Sequence, residues 1–529
     1  MSRTPLFRAV KKAFARASRK DAIVWPRSSA LTRRKLLRLS AAAAGATALA
    51  PVINWRVFAE EKGKPPSIAI IGGGAAGLTA AYRLQAADVN PIVFEASNRW
   101  GGRMFTQYDF YKGMFCELGG ELVDSNHEDL HNLANELGVG MQKLTDDGGE
   151  DLYFFKGVFH TPKDMLDPGT ETGAFVPIAK QVAEDAGKLL DEEENWTEFA
   201  HELDRVSLKD YLEQFRGKAE DWAIDLLDVA YNIEFGLLTE EQSSLLMVDF
   251  IGTDLNKPFE IFGESDEAWR VKGGSSALIN ALVAALKDKA EMQLGHALTE
   301  IGTKDQQIVL NLSAPGGSTR TESYDAVILT LPFTKLREVK GLESLDLGEE
   351  KLKCIREYGF GKNGKVMNGT TSRVWRSPDS DLPAPSNGSF YSDSGFQDLY
   401  ETSRAQPGEA GIITNYIGIK AGITDAKSAL EAFRAGLEKM SPKMAESLDP
   451  NAVTSFFWGP YPYTLGSYSA TKPGQYTTFP EVAGEPALDG RLQFAGEHTS
   501  VDWFGYMNAA VESGNRVSDA LAEAFALNK

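Results

Sequence analysis

Glycine occupies the first, third and sixth places of Gly72-Gly73-Gly74-Ala75-Ala76-Gly77. With no side chains in the way, such a turn can bring backbone amides up to a pyrophosphate. Gly72 permits the tight turn, Gly74 lets the phosphates approach, and Gly77 lets a helix pack closely on a strand, with Ala76 in the same turn. Glu95 lies 18 residues past Gly77, near the spacing at which a carboxylate receives ribose hydroxyls. The chemistry these residues offer is the binding of a dinucleotide.

Such residues work only if regular elements hold them. Ser67-Ile68-Ala69-Ile70-Ile71, entered from Pro65-Pro66, predicts a buried parallel strand. An Ala/Leu-rich stretch to about Ala87 predicts the helix whose N-terminus faces the phosphates. Pro91-Ile92-Val93-Phe94 predicts a second strand, ending at Glu95. Strand, glycine turn, helix, strand and terminal acid in that order carry far more weight than the glycines alone.

Past Glu95 the chain reads Ala96-Ser97-Asn98-Arg99-Trp100-Gly101-Gly102-Arg103, and here it resembles the flavin-dependent amine oxidase superfamily, which includes flavin monoamine oxidases and L-amino-acid oxidases. The resemblance implies FAD, with Gly102 and Arg103 along the diphosphate and flavin. Glu117-Leu118-Gly119-Gly120-Glu121 is similar to the family loop beside the flavin, and Val271-Lys272-Gly273-Gly274 to its returning glycine pair. Ala297-Leu298-Thr299 falls where the family lays a strand against the adenine, which nominates Leu298. Phe494-Ala495-Gly496-Glu497-His498-Thr499 and Gly505-Tyr506-Met507-Asn508 resemble the closing segments. There the resemblance puts Glu497 near the ribityl or diphosphate region and a helix opened by Tyr506 and Met507 against the flavin.

An amine oxidase must hold a neutral amine over the flavin while the carbon bearing nitrogen loses a hydride equivalent, and must then let dioxygen take the electrons. The resemblance assigns Tyr468 and Tyr506 as the two walls of an aromatic cage, and Lys365, in Gly361-Lys362-Asn363-Gly364-Lys365-Val366, as the active-site lysine, with Lys362 as the competitor. Before Tyr468 stands Ser467, where monoamine oxidases carry the cysteine that bonds to flavin, so FAD is expected to be non-covalent. Family members that act on α-amino acids commonly have an arginine to clamp the carboxylate where this chain has Leu122. Glu121 and Asp124 stand nearby and are expected to hold a distal ammonium. Other bacterial L-amino-acid oxidases resemble this chain in the Gly-Gly-Glu-Leu-Val-Asp-Ser stretch, so L-α-amino acids are the expected substrates, giving keto acid, ammonia and hydrogen peroxide. Mono- or polyamines are the alternative. Tryptophan 2-monooxygenase and desaturase-like or protoporphyrinogen-oxidase-like chemistry stand further off.

The expected fold is α/β, a Rossmann-like FAD-binding domain interleaved with an α+β substrate domain. Tyr324 to Thr330 reads as a strand of the cofactor domain, 356–375 and 411–420 as half-buried strands, and Ser377 to Gly388 as a surface loop. The resemblance implies FAD segments at about 60–130, 265–340 and 480–529, with the substrate domain from 131–264 and 341–479. The chain has 529 residues, 43% of them hydrophobic, and two cysteines, which excludes a disulfide scaffold or a cysteine zinc module; no metal is expected. Whether Cys116 and Cys354 pair is left open, as is homodimer formation. Residues 1–59 carry 13 Lys/Arg and one acid, so a chain of net charge −19 leaves −31 on the rest; nucleic acid is not an expected partner. Thr32-Arg33-Arg34-Lys35-Leu36-Leu37, the short apolar run Leu39 to Ala50 and Val57-Phe58-Ala59 read as a twin-arginine export signal with a cleavage site. The run is too short for a stable membrane anchor. The expected route is through the twin-arginine translocase to a periplasmic or secreted location, which suits a protein that folds around its cofactor first.

Overall fold

The computed structural model describes residues 66–525, apart from 145–147, 168–171, 256–260, 264, 421–422 and 424. The twin-arginine motif and its cleavage site lie outside the described residues. Along the chain, the elements that position the site begin with β1 (Ile68–Ile71), α1 (Ala75–Ala86), β2 (Ile92–Glu95), β3 (Glu150–Phe155), β4 (Val158–His160) and α2 (Asp221–Phe235). Then come β5 (Glu291–Leu294), β6 (Ala326–Leu329), β7 (Gly364–Thr370), β8 (Ser386–Ser392) and β9 (Asp398–Glu401). The chain closes with β10 (Gly411–Ile417), α3 (Ala426–Met440), β11 (Leu448–Phe457), β12 (Leu492–Phe494) and α4 (Met507–Ala524). Among the described residues no helix is long and apolar enough to cross a membrane.

Two sheets dominate. The first is parallel, in the order β5-β2-β1-β6-β12. Every residue of β1 and of β6 is buried, as a strand covered on both faces requires. Helices α1 and α4 pack against one another over this sheet. All five strands come from residues 68–95, 291–329 and 492–494. The second sheet has seven strands in the order β11-β7-β10-β9-β8-β3-β4, antiparallel except where β8 runs parallel to β3. Helix α2 and its neighbours build a separate apolar core over one part of it, around Phe175, Leu227, Tyr231 and Phe250. The chain is thus a mixed α/β protein, as expected.

Several boundaries differ from the sequence expectation. The stretch Tyr324 to Thr330 is not one strand: a strand ends at Tyr324 and β6 begins at Ala326, because the Asp325 carboxylate turns back to accept from the N–H and hydroxyl of Ser67. The segment 356–375, read as strand, starts as the end of a helix (Glu349–Glu357) and becomes strand only at Gly364. The loop expected from Ser377 to Gly388 yields to β8 at Ser386. Cys116 and Cys354 are both buried and unpaired with each other.

Candidate active site

The glycine turn behaves as its spacing requires. Gly72 has φ +114°, a conformation that disfavours any side chain, and a Cβ on Gly77 would lie 2.0 Å from the Gly72 carbonyl oxygen. Across from the turn, a Cβ on Gly74 would meet only the Gly102 Cα, at 3.9 Å, so a narrow side-chain-free crevice runs between the two loops. Helix α1 opens into it with no side-chain cap and no acid in its first turn. Unoccupied N–H groups and the positive end of the helix dipole are therefore available to a diphosphate. Helix α4 opens in the same way, uncapped and without an acid, at Tyr506 and Met507. Both open helix starts and the crevice fit a flavin dinucleotide.

The remaining cofactor candidates surround this crevice. Glu95 takes the N–H of Gly73 and of Ser97, each at 2.8 Å, one on each carboxylate oxygen, which leaves further lone pairs for ribose hydroxyls. The amide of His296 donates to the Glu95 carbonyl at 2.9 Å, so the backbone leading to Leu298 runs beside it. The Leu298 side chain is packed in the apolar core with Ile301, Leu310 and Leu312, and only its backbone could face a ligand. Ala76 is buried in the first turn of α1. Glu497, expected at the ribityl or diphosphate region, is committed to protein groups. Arg103 Nη1 lies 2.6 Å from one of its oxygens, and the Ser469 hydroxyl (2.7 Å) and Gly505 N–H (2.8 Å) donate to the other. Burial would raise this carboxyl, but Arg103, with His498 and Ser469, holds it below the usual carboxylate range. Glu497 therefore fixes Arg103 and the loop that leads into Tyr506.

A cavity of about 480 Å³ opens beside this region. Arg103, Gly119, Gly120, Glu121, Leu122, Lys365, Tyr468, Tyr506 and Met507 all line it. A Cβ on Gly120 would lie 2.7 Å from the Met507 sulfur, so loop 119–120 is pressed against the start of α4. Lys365, on β7 and only 6% exposed, donates from Nζ to the Gly119 carbonyl at 2.9 Å and to Glu121 at 3.1 Å. Its ammonium also stands 5.6 Å from the ring centres of both Tyr400 and Tyr416. Lys362 is not among the residues lining the cavity; its amide is tied to Gly236. The Tyr468 hydroxyl donates to the Glu234 carbonyl at 2.5 Å and bonds the Tyr416 hydroxyl at 2.7 Å, which locks that ring's orientation. Tyr506 leans on His127, with ring centres 4.9 Å apart. Ser467 lines the cavity, its hydroxyl held 2.6 Å from the Asn363 side-chain oxygen.

Glu121 and Asp124, both expected to hold a distal ammonium, take different places, since Glu121 lines the cavity and Asp124 does not. The Glu121 carboxylate takes Lys365, the Tyr400 hydroxyl (2.8 Å) and the Thr402 hydroxyl (3.0 Å), so it organises the lysine at the cavity wall. The Asp124 oxygens accept from the Ser265 hydroxyl (2.8 Å) and the Glu267 N–H (2.9 Å), which pins the loop that carries Glu267 into the cavity wall. Sequence reasoning missed Tyr400, Tyr416, Asp398, Glu267 and Arg404, all of which line the cavity. Gly411-Ile412-Ile413-Thr414-Asn415-Tyr416 shows no apolar/polar alternation, so nothing local in the sequence marks Tyr416.

The chain is similar to known proteins in sequence and in fold. The sequence profile described as flavin containing amine oxidoreductase matches residues 75–522. An L-amino-acid oxidase of Vipera ammodytes ammodytes is 22% identical over 477 residues, covering 85% of this chain and 91% of that protein. The putative L-amino-acid oxidase YobN of Bacillus subtilis (strain 168) is 23% identical over 474 residues, covering 86% and 94%. Among solved structures, cyclohexylamine oxidase from Brevibacterium oxydans IH-35A superposes with a TM-score of 0.73 at 20% identity, covering 87% of this chain and 99% of that one. Wild-type putrescine oxidase bound to putrescine gives a TM-score of 0.70 at 20% identity, with the same coverage.

Proposed function

From a chain that belongs to the flavin containing amine oxidoreductase family and is a flavin amine oxidase, we propose a non-covalent FAD oxidase that deaminates L-α-amino acids. The amine-bearing carbon becomes an imine, which hydrolyses to keto acid and ammonia, and dioxygen becomes hydrogen peroxide. One observation carries the reading: a lysine 6% exposed, held by Gly119 and Glu121, faces a cavity whose other walls include Tyr468 and Tyr506 at the uncapped start of α4. A bound flavin supplies the acceptor for the hydride equivalent and returns the electrons to dioxygen.

The chain's own residues do the rest. Tyr468 and Tyr506 flank the amine and orient its carbon, and their π faces favour the positive end of the substrate. Lys365 holds a water or proton at the reacting face, and Glu121, Tyr400 and Thr402 fix its ammonium. Glycines 72, 74, 102, 119 and 120 admit the cofactor's phosphates and ring, and the amides that open α1 and α4 meet its negative charge. Ser467 offers a hydroxyl in place of a thiol, which supports a cofactor held without a bond. Leu122 lines the cavity and cannot clamp a carboxylate. Arg404 can, since it lines the cavity and its buried Nε has no partner among the described residues.

The acid content of the lining favours a second reading, oxidation of carboxylate-free mono- or polyamines. Anaerobic bleaching of the flavin by a panel of L-amino acids, monoamines and polyamines separates the two. Bleaching by amino acids, with peroxide on admitting air, is the expected result; bleaching by amines alone would transfer the assignment to the second reading. We further assign the parallel sheet and α4 to an FAD domain built from 60–130, 265–340 and 480–529. The seven-stranded sheet belongs to the substrate domain of 131–264 and 341–479. The basic leader is assigned to twin-arginine export into the periplasm or medium, a reading that fails if no exported protein begins near Glu60.

A further inference from the structure

The floor of the cavity is a single rung of the seven-stranded sheet. Lys365 on β7 pairs with Tyr416 on β10, Tyr416 with Asp398 on β9, Asp398 with Tyr391 on β8, and Tyr391 with Tyr153 on β3. All five line the cavity. Neighbouring strands stand about 4.8 Å apart, so Asp398 is about 10 Å across the sheet from Lys365, and Tyr391 and Tyr153 are about 14 and 19 Å across. The rung therefore runs from the reacting end to an acidic end backed by tyrosines.

Three features of the far end point to a cation. Among the described residues no group donates a hydrogen bond to the Asp398 carboxylate, and Glu267, an exposed side chain, lines the same cavity. Asp151 adds a third acid, partly satisfied by the Asn387 amide at 2.7 Å. Arg404 is the first cation whose charge reaches Asp398 and Glu267 apart from Lys365, and Lys365 is already balanced by Glu121. Independently of the acids, Tyr153 is 4% exposed, lines the cavity, and has no hydrogen bond to its hydroxyl among the described residues. Its ring stacks on Tyr391 at 5.9 Å and 22°, which gives a π surface beyond Asp398 on which a cation gains energy. Burial, then the repulsion of Glu267 and Asp151, pushes the Asp398 carboxyl well above its ordinary range. A positive ligand group beside Asp398 and Glu267 would stabilise their ionised forms.

We infer that this end of the cavity is a specificity subsite for a second positive charge on the substrate, an ammonium or guanidinium three or four methylenes from the carbon that is oxidised. Asp398 and Glu267 receive it, and Tyr391 and Tyr153 cover it. An extended chain advances about 1.2 Å per bond, so such a group reaches about 5–6 Å toward Asp398, and the Lys365 and Asp398 side chains close the rest of the interval. Asp124 is a positioning residue for the subsite, because it fixes the Glu267 backbone. The inference rests on the amine-oxidase reading of the same cavity. With Arg404 clamping a carboxylate, the substrates are basic L-amino acids; without that clamp they are diamines.

Stopped-flow anaerobic reduction of the holoenzyme tests it with L-lysine, L-ornithine, L-arginine, L-norleucine, Nε-acetyl-L-lysine, putrescine and cadaverine. L-Lysine should exceed both norleucine and the acetylated amino acid by about 100-fold or more in kcat/KM, the scale set by leaving a buried charge unpaired. Asp398→Asn should lower the lysine-to-norleucine ratio about 30-fold or more. Norleucine reducing the flavin as fast as lysine overturns the subsite and leaves the amino-acid reading standing. Reduction by the diamines alone overturns the amino-acid reading and keeps the subsite, and silence across the panel overturns both. The comparison of lysine, acetyl-lysine and norleucine needs no variant, so it stands even if Asp398→Asn fails to fold.

Discussion

Lys365→Met separates what the lysine does for the fold from what it does for the reaction. Its side chain is 7% exposed and that of Glu121 4%, with 3.1 Å between ammonium and carboxylate. Methionine keeps most of the stem's volume, so the main loss is electrostatic. Removing one partner of such a buried pair costs about 3–5 kcal/mol, because the other charge is stranded. Here Glu121 keeps the Tyr400 and Thr402 hydroxyls at 2.8 and 3.0 Å, each worth about 1 kcal/mol, so the cost falls near about 3 kcal/mol. At about 2.1 cal/mol/K per residue, a chain of this size changes by on the order of 1 kcal/mol for each degree, giving a Tm drop of about 3 °C. Lys365→Met with Glu121→Gln removes the stranded charge. The glutamine oxygen still accepts from one of the two hydroxyls, and its amide nitrogen can donate to the other hydroxyl's oxygen or to the Gly119 carbonyl that Lys365 leaves free. The double variant should regain at least about 2 kcal/mol over Lys365→Met. Reoxidation of the reduced flavin by dioxygen should nevertheless be about 100-fold slow in both, since neither has the ammonium. Lys362→Met, outside the cavity, should alter neither quantity. If the double variant is no more stable than the single one, the two side chains are not a coupled pair. If Lys365→Met reoxidises as fast as wild type, the lysine has no part in the reaction.

Gly77→Ala should abolish flavin loading, because the new Cβ would sit 2.0 Å from the Gly72 carbonyl oxygen, a backbone atom that cannot yield; the ratio of flavin to protein absorbance checks this. Acid or heat denaturation should release all the yellow cofactor into the supernatant, since Ser467 provides no thiol, and flavin retained on the precipitated chain would refute non-covalent binding. Burial, with the Glu121 charge, raises the Glu117 carboxyl from 4.5 to about 7. The folded state therefore holds a proton that the unfolded chain gives up, and this contribution to stability, full below about pH 4.5, is lost as pH rises through about 7. Tm should decline over that window on this account, and Glu117→Gln should flatten the decline; an unchanged profile would show that Glu117 does not titrate there.

The sequence was most informative where a backbone requirement shows in residue type. Gly72, Gly77 and the strands around them follow from close approaches that only glycine allows and from apolar runs short enough to be buried strands. Asp325 escaped notice because its carboxylate reaches Ser67, 258 residues away, and ends a strand that the apolar pattern alone would have continued. Glu121 and Asp124 were visible as acids near the site, but their partners were not. Thr402 and Tyr400 lie about 280 residues from Glu121 along the chain, and Ser265 lies 141 from Asp124, so neither pairing leaves a local trace. The same limit governs the rung across the cavity floor. Its five residues are scattered from 153 to 416 and come into line only through four strand registers. A slip of one residue in any of these strands would turn its member to the opposite face. Asp398 in particular would exchange a cavity for the apolar core that buries its neighbour Leu399. What the far end of the cavity recognises is thus set by how the strands register, while what the near end does is set by glycines, a lysine and tyrosines that the sequence displays directly.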